Sequence, residues 1–458
     1  MMMEKILMQP KQMRFGKVVK FILPTYLTSL FNTLYTIVDG IFVSACVGTN
    51  ALAAINIVYP IVNILTGIAL AFATGGGAFA AISLGAGQKE KAGRQFAVCL
   101  MMTLLVSGLA AGIMALWLPQ ILTFLGATPL TMADCRSYAM IWLIGVPAVV
   151  GKELCTYFIR ADGSPGYGFL VAAAGGIANI LLDYVLVAKW NMGVLGAGLA
   201  TILGLVLSCG LGIWYFCRLR RQLRPVWRGM EIKEGVRCAV NGASECVSQL
   251  AIAITTVVFN RTALALTGED GIAAVSIIMY LQFLFIGLYF GYSMGIAPLL
   301  SHGYGQGSIQ VCRKLERYSY RFFAAAPPLL YGVAFLSAPL AVYCFAQRGT
   351  AVWHLALEGM RLYGLGYLVA GLNIFTAIRL TSYGKGHLSA VVTLLRSFLL
   401  LIVFLLWLPK LWGMAGLWLA MPLAEMLTIA ASVGLNQSTT RSIHKENRNA
   451  VPGDPVTE

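Results

Sequence analysis

The amino-acid sequence predicts an all-α membrane protein: twelve transmembrane helices in two six-helix bundles related by a pseudo-two-fold axis along the membrane normal. Three observations lead there. The 458-residue chain is 59% hydrophobic and only 11% charged, with a mean hydropathy of +0.78, whereas soluble domains carry about 25% charged residues. Apolar runs of about 18 residues or more, long enough to cross a bilayer, recur along nearly the whole length. A pattern of small residues also repeats after about 220 residues.

The runs fall at residues 18–44, 52–84, 95–118, 133–159, 167–188, 194–217, 238–266, 271–301, 317–346, 354–381, 388–408 and 412–435. Barrel strands would instead show alternating segments of about 10 residues. The first span, FILPTYLTSLFNTLYTIVDGIFVSACVG from Phe21 to Gly48, follows a basic segment without a small-residue cleavage site, so it reads as a retained helix. Pro24 removes a backbone hydrogen bond and predicts a bend there. Asp39 stands among Ile37, Val38, Ile41, Phe42 and Val43. A carboxylate in that setting costs ~2.5–3.5 kcal/mol on insertion scales unless something answers it.

The answer is expected from the fifth and sixth spans. Asn179 and Asp183 are four residues apart and share a helix face. Counting at ~1.5 Å per residue places Asp39 and Asp183 about five residues below the outer ends of their spans, or ~8 Å, with Thr201 about seven residues down. Two carboxylates, an amide and a hydroxyl thus share one layer. Such oxygens suit a hard cation, and two adjacent carboxylates can equally share a proton. The expected coupling site for Na+ or H+ is Asp39, Asn179, Asp183 and Thr201, with no other cofactor. Occupancy would relieve the buried charge and favour one conformation over another.

The net charge of +15 does not imply nucleic acid, because the cations gather in alternate loops. They include Lys11, Arg14, Lys17 and Lys20, then Lys89, Lys91 and Arg94, then Arg160, then the run from Arg218 to Arg237. Arg313, Lys314, Arg317 and Arg321 follow, then Arg379 and Lys385, then Arg441, Lys445 and Arg448. By the positive-inside rule both termini are cytoplasmic and the protein is a multi-pass component of the inner (plasma) membrane. The basic surplus could also grip anionic lipid.

Residues 1–217 form the expected N-terminal lobe, 218–237 a basic cytoplasmic linker, 238–436 the C-terminal lobe and 437–458 a cytoplasmic tail. Gly48, Ala53 and Ala54 recur as Gly268, Ala273 and Ala274, and Gly75 recurs as Gly295. GAGQ from Gly85 answers GYGQ from Gly303, Gly163 answers Gly384, and Gly193, Gly196, Leu199 and Ala200 answer Gly413, Gly416, Leu419 and Ala420. An even number of spans per unit makes these parallel repeats, the geometry of alternating access.

The second lobe lacks the acidic layer, since Phe259 stands at the position of Asp39. It holds Glu245 in the seventh span, with no evident cation at its depth, and Arg396 and Glu425, which are predicted to pair. Lys152 and Glu153 are expected to reach toward the membrane interface. Tyr35, Tyr138, Tyr280 and Gln282, with Phe283 and Tyr289, are candidates to line a cleft for flat lipophilic cations. Glu245 is a candidate partner for the same substrates. Gly364, Gly366 and Gly371 predict a kink in the tenth span. The ten cysteines sit singly and read as small buried hydrophobes.

FNTLYTIVDGIFVSACVG followed by ALAAINIVYP, the GAGQ turn, ANILLDYVLV and GVLGAGLATILG together resemble the multidrug and toxic compound extrusion family over essentially the whole chain. That resemblance implies a secondary active antiporter that exports organic cations and other amphipathic compounds while sodium or protons flow inward. It assigns coupling to Asp39, Asn179, Asp183 and Thr201, and bending to Pro24. Other members use a seventh-span glutamate; Glu245 lies near the start of that span. The tenth-span acid of some members has no equivalent, Glu358 being near a helix end. The alternative is a flippase for lipid or lipid-linked oligosaccharide of the same superfamily. No hydrolase or phosphate-loop motif appears, so an enzyme is not expected. The expected partners are lipophilic or cationic small molecules and membrane lipid, with the protein a monomer.

Overall fold

The computed structural model describes residues 13–47, 49–218, 222–343 and 345–450, without the side chains of 36–46, 49–53, 280 and 437–450. Among these residues eight helices are long and apolar enough to cross a membrane alone. Two further spans are bent pairs, Met132–Ile144 with Val146–Ala161 (52°) and Ala351–Gly364 with Tyr367–Ser382 (51°). The helix Phe15–Cys46 and a break at Trp412 and Gly413 inside Leu400–Ala450 bring the architecture to the expected twelve spans.

The two bends are repeat mates. Gly145 interrupts span 4 just before Pro147, and Gly366 interrupts span 10. The span 10 kink was legible from its glycines; the equivalent kink in span 4 was not expected, although its Gly-Val-Pro sequence is a breaker signal. The turns repeat as well. Gly87 and Gly307 have φ of 76° and 70°, and Gly163 and Gly384 have 81° and 72°, values that favour glycine. Their hydrogen bonds revise one sequence match. Gly87 N donates to Leu84 O and Gln88 N to Ser83 O, while Gly307 N donates to Tyr304 O and Ser308 N to Gly303 O. GAGQ at 85–88 therefore corresponds to GQGS at 305–308, two residues beyond GYGQ, because the positive-φ glycine sets the register.

The N-terminal half has a core that includes Phe96, Phe158 and Tyr215, and the C-terminal half one that includes Trp418, Tyr363 and Tyr367. The first span of each half begins in the other half's core. Val18, Phe21 and Ile22 of span 1 belong to the C-terminal cluster, and Cys238 at the start of span 7 belongs to the N-terminal one. Farther along, span 1 packs on span 5, and Phe259 and Ala263 of span 7 return to the C-terminal core. Spans 1 and 7 are thus the cross-braces between the halves.

Close approach of backbone seals the end that carries the basic loops. A Cβ on Gly85 would lie 2.2 Å from His302 O, and one on its mate Gly305 would lie 2.0 Å from Ile82 O. Asn241 Nδ2 adds bonds to Thr381 O at 3.1 Å and Gly75 O at 3.4 Å. Farther from the basic end, Ser29 Oγ donates to Gly287 O at 2.9 Å. The linker folds onto the same end, where Asp162 accepts from Tyr215 Oη (2.7 Å) and Leu223 N (2.8 Å).

Candidate functional site

Glycines bring the three helices of the acidic layer together. Gly176 of span 5 receives Phe31 and Tyr35 of span 1: a Cβ there would lie 2.5 Å from Phe31 Cε1 and 3.3 Å from Tyr35 Cδ1. On the face toward span 6, Gly204 lies against the Gly175 carbonyl at 2.6 Å from its notional Cβ. At the level above this contact Asn179 and Asp183 are both buried. Asn179 Nδ2 is 3.5 Å from Thr201 Oγ1, at the outer limit of a hydrogen bond, and Thr201 Oγ1 donates to Ala197 O at 3.0 Å. Asn179 Oδ1 is buried with no hydrogen-bond partner among the described residues. Asp183 ends the α-helical part of span 5, and a π-helical turn, Tyr184–Lys189, follows. Such turns mark functional sites in many helices.

Asp39 lies within the first helix, one turn beyond Tyr35, but its side chain is outside the described residues, as is that of Tyr280. Span 1 runs as one unbroken helix through Pro24, whose carbonyl accepts from Thr28 Oγ1 at 2.8 Å. The expected cleft residues divide. Tyr35 is half-buried between spans 1 and 5, whereas Tyr138 is buried in the N-terminal core against Gly198 and Trp142. Gln282 Oε1 accepts the Tyr363 hydroxyl, Tyr289 Oη donates to Tyr367 O at 2.9 Å, and Phe283 is exposed. Lys152 and Glu153 pair with each other at 2.7 Å, with only 14% and 13% side-chain exposure, instead of reaching outward.

The predicted pair of Arg396 and Glu425 is present, at 2.8 Å. Asn373 Nδ2 bonds the other Glu425 oxygen at 2.8 Å and Ser432 Oγ bonds Asn373 Oδ1 at 2.7 Å, so the carboxylate is satisfied on both sides. Glu245, for which no cation was expected, lies within electrostatic reach of Arg396.

Glu245 also lines a cavity of ≈ 40 Å³ between the halves, just inside the basic-end seal. The opposing walls are repeat mates: Thr74 faces Met294, Gly77 faces Ala297, and Arg160 and Ala161 answer Thr381 and Ser382. The cavity therefore lies on the pseudo-two-fold axis. Thr74, Thr381, Ser382 and Ser301 each spend their hydroxyl proton on a helix carbonyl. The unmatched charges are Arg160 from one half and Glu245 from the other, 8% and 9% exposed. Arg160 stacks on Tyr157, centroid distance 4.9 Å, and among the described residues no carboxylate lies within 4.0 Å of it. Sequence reading had placed Arg160 in a basic loop; its span continues to Ala161, so the guanidinium is buried.

Two equivalent bundles closed at one end, with a buried polar layer in one of them, define a membrane carrier. The MatE family model matches residues 24–185 and again 245–407, once per half, and the chain belongs to that transporter family. Multidrug export protein MepA of Staphylococcus aureus (strain bovine RF122 / ET3-1) is 22% identical over 448 residues, 92% of each chain. The FAD transporter of Shewanella oneidensis is 22% identical over 412 residues, 86% of this chain and 88% of that one. Among solved structures, a MATE protein in its straight conformation aligns with a TM-score of 0.88 at 20% identity, covering 97% of this chain and 99% of that one. A MOP superfamily transporter from Pyrococcus furiosus, described as having a binding pocket of reversed polarity, aligns at 0.88 and 21% identity, over 96% and 98%.

Proposed function

We propose that the protein is an ion-coupled antiporter that exports lipophilic or cationic small molecules by alternating access, with the basic end cytoplasmic. The observation that supports this reading is the buried pair Asn179 and Asp183, with Asn179 3.5 Å from Thr201, on a helix against which span 1, the helix that carries Asp39, packs at Phe31 and Tyr35. A sodium ion would take the unfilled Asn179 oxygen as a ligand; a proton would sit on the carboxylates and remove the cost of two neighbouring charges. Either shifts the balance between conformations only by its differential affinity for them. Because spans 1 and 7 brace both halves, a change at the Asp39 layer reaches the basic-end seal through a continuous helix, and Pro24 is the point where span 1 can bend.

Dye efflux from proteoliposomes tests this, with a sodium gradient and a pH gradient imposed separately. One gradient should drive efflux, and Asp39→Asn and Asp183→Asn should abolish it in folded protein. Transport by neither gradient, or full transport in both variants, would overturn the reading.

Arg160 favours a second reading of the cargo. A guanidinium on the axis, next to the seal, attracts compounds with a carboxylate or phosphate and repels simple cations. One relative named for an anionic flavin nucleotide is consistent with that. Faster export of an anionic than of a cationic dye of equal size, reversed by Arg160→Gln, would select it. The same preference would also draw attention back to lipid-linked substrates.

A further inference from the structure

The helix Ile309–Tyr343 enters the bilayer at the basic end, and from Phe322 through Gln347 the sequence carries no charge. Immediately before that run, Arg313, Arg317 and Arg321 recur at every fourth residue and are all exposed. They form one stripe, ~12 Å long, because positions four apart stack on one helix face. The stripe lines an open groove of ≈ 480 Å³ with Glu316, Tyr320 and Ala324.

A carboxylate within the stripe would ordinarily neutralise it. Glu316, the one acid of this helix, is directed elsewhere: its Oε1 accepts from Arg379 Nε at 2.6 Å and from Tyr383 Oη at 2.7 Å. Arg379 is itself buried and donates to Asn436 at 2.8 Å, so Glu316 is held by a network that ties spans 9, 10 and 12 together. Among the described residues neither Arg317 nor Arg321 has a carboxylate within 4.0 Å.

We propose that this groove holds the head group of an anionic phospholipid from the leaflet at the basic end. The guanidiniums fork onto the phosphate oxygens, Tyr320 flanks the glycerol region, and the acyl chains run down the uncharged face that begins at Phe322. The position matters because the neighbouring Tyr318 supports the start of span 1, stacking edge-on with Phe15 at 5.3 Å and donating to Met13 O at 2.9 Å. A lipid seated here steadies the base of that helix. This inference is independent of the transported compound.

The test is lipid retention by the purified full-length protein from nanodiscs of phosphatidylcholine with a minority of phosphatidylglycerol, read by native mass spectrometry. The parent should retain phosphatidylglycerol over phosphatidylcholine. Each arginine near a charged surface contributes about fivefold in affinity, so R313Q/R317Q/R321Q should reduce retention about a hundredfold. R224Q/R228Q in the linker should leave it unchanged. The triple lysine variant, which keeps the charge and a folded protein, should retain an intermediate amount. Retention by the glutamine variant equal to the parent, or equal loss in the linker variant, overturns the proposal. Displacement of the lipid by millimolar inorganic phosphate also overturns it, by assigning the groove to a soluble anion.

Discussion

Arg396 grips a single oxygen of Glu425 through both Nε (3.0 Å) and Nη2 (2.8 Å), and Asn373 takes the other oxygen. Glu425 is buried and Arg396 partly buried between spans 11 and 12, where a lone charge is poorly solvated. Removing one partner should cost about 3–5 kcal/mol, whereas replacing both by methionine should cost much less. Thermal unfolding of R396M, E425M and the double variant in detergent checks this: additive losses would show that the two charges do not depend on each other.

The seal between Gly85 and Gly305 should be intolerant of a single methyl group. A Cβ at either position meets backbone carbonyl, which cannot rotate away, so Gly85→Ala and Gly305→Ala should each separate spans 2 and 8 at the basic end. The expected result is increased labelling of a cysteine introduced at Ala78, which lines the axial cavity, compared with the same cysteine in the parent background. Unchanged labelling in both would place the barrier elsewhere.

Asn179 and Asp183 should respond to ions, not only to drugs. If the layer binds the coupling ion, sodium or acid pH should protect the parent from thermal unfolding and should not protect Asn179→Ala or Asp183→Asn. Saturation at a hundred times the dissociation constant corresponds to about 2.7 kcal/mol of added stability. Equal protection in parent and variants would remove these residues from the site.

Arg160 and Glu245 line the axial cavity from opposite halves; among the described residues neither has an opposite charge within 4.0 Å, and their charged neighbours at longer range are Glu153 and Arg396 respectively. Their coupling should show as non-additivity of about 0.5–3 kcal/mol in a double-mutant cycle on stability. Charge reversal, R160E/E245R, should recover more transport than either single change. If the double reversal is as impaired as the worse single variant, the two charges act separately.

The bends and brackets around these sites show how the information divides. The kink at Gly366 follows from its glycine-rich surroundings, and the ion pair of Arg396 with Glu425 follows from equal depth on neighbouring spans. Arg160 and Arg379 were misread because a cation next to a turn resembles a loop cation; the helices end only at Ala161 and Ser382, and packing against the neighbouring spans buries both side chains. Tyr138 was misassigned for a similar reason: an aromatic on a span has several faces available, and Gly198 directs this one into the core.

Hydropathy, alternate basic loops and the duplicated glycines determined by themselves that this chain crosses the membrane twelve times in two related halves. These signals are local, arising from transfer free energy per residue and from backbone conformations that glycine adopts cheaply. Tertiary structure alone decided which charges share a space. Span 1 had to be laid on span 5 at Gly176, and the two halves pressed together at Gly85 and Gly305, before Asn179 met Thr201 or Arg160 and Glu245 entered one cavity. Those meetings depend on helix rotation and separation, which close packing of residues far apart in the chain sets and which no periodicity along one helix records.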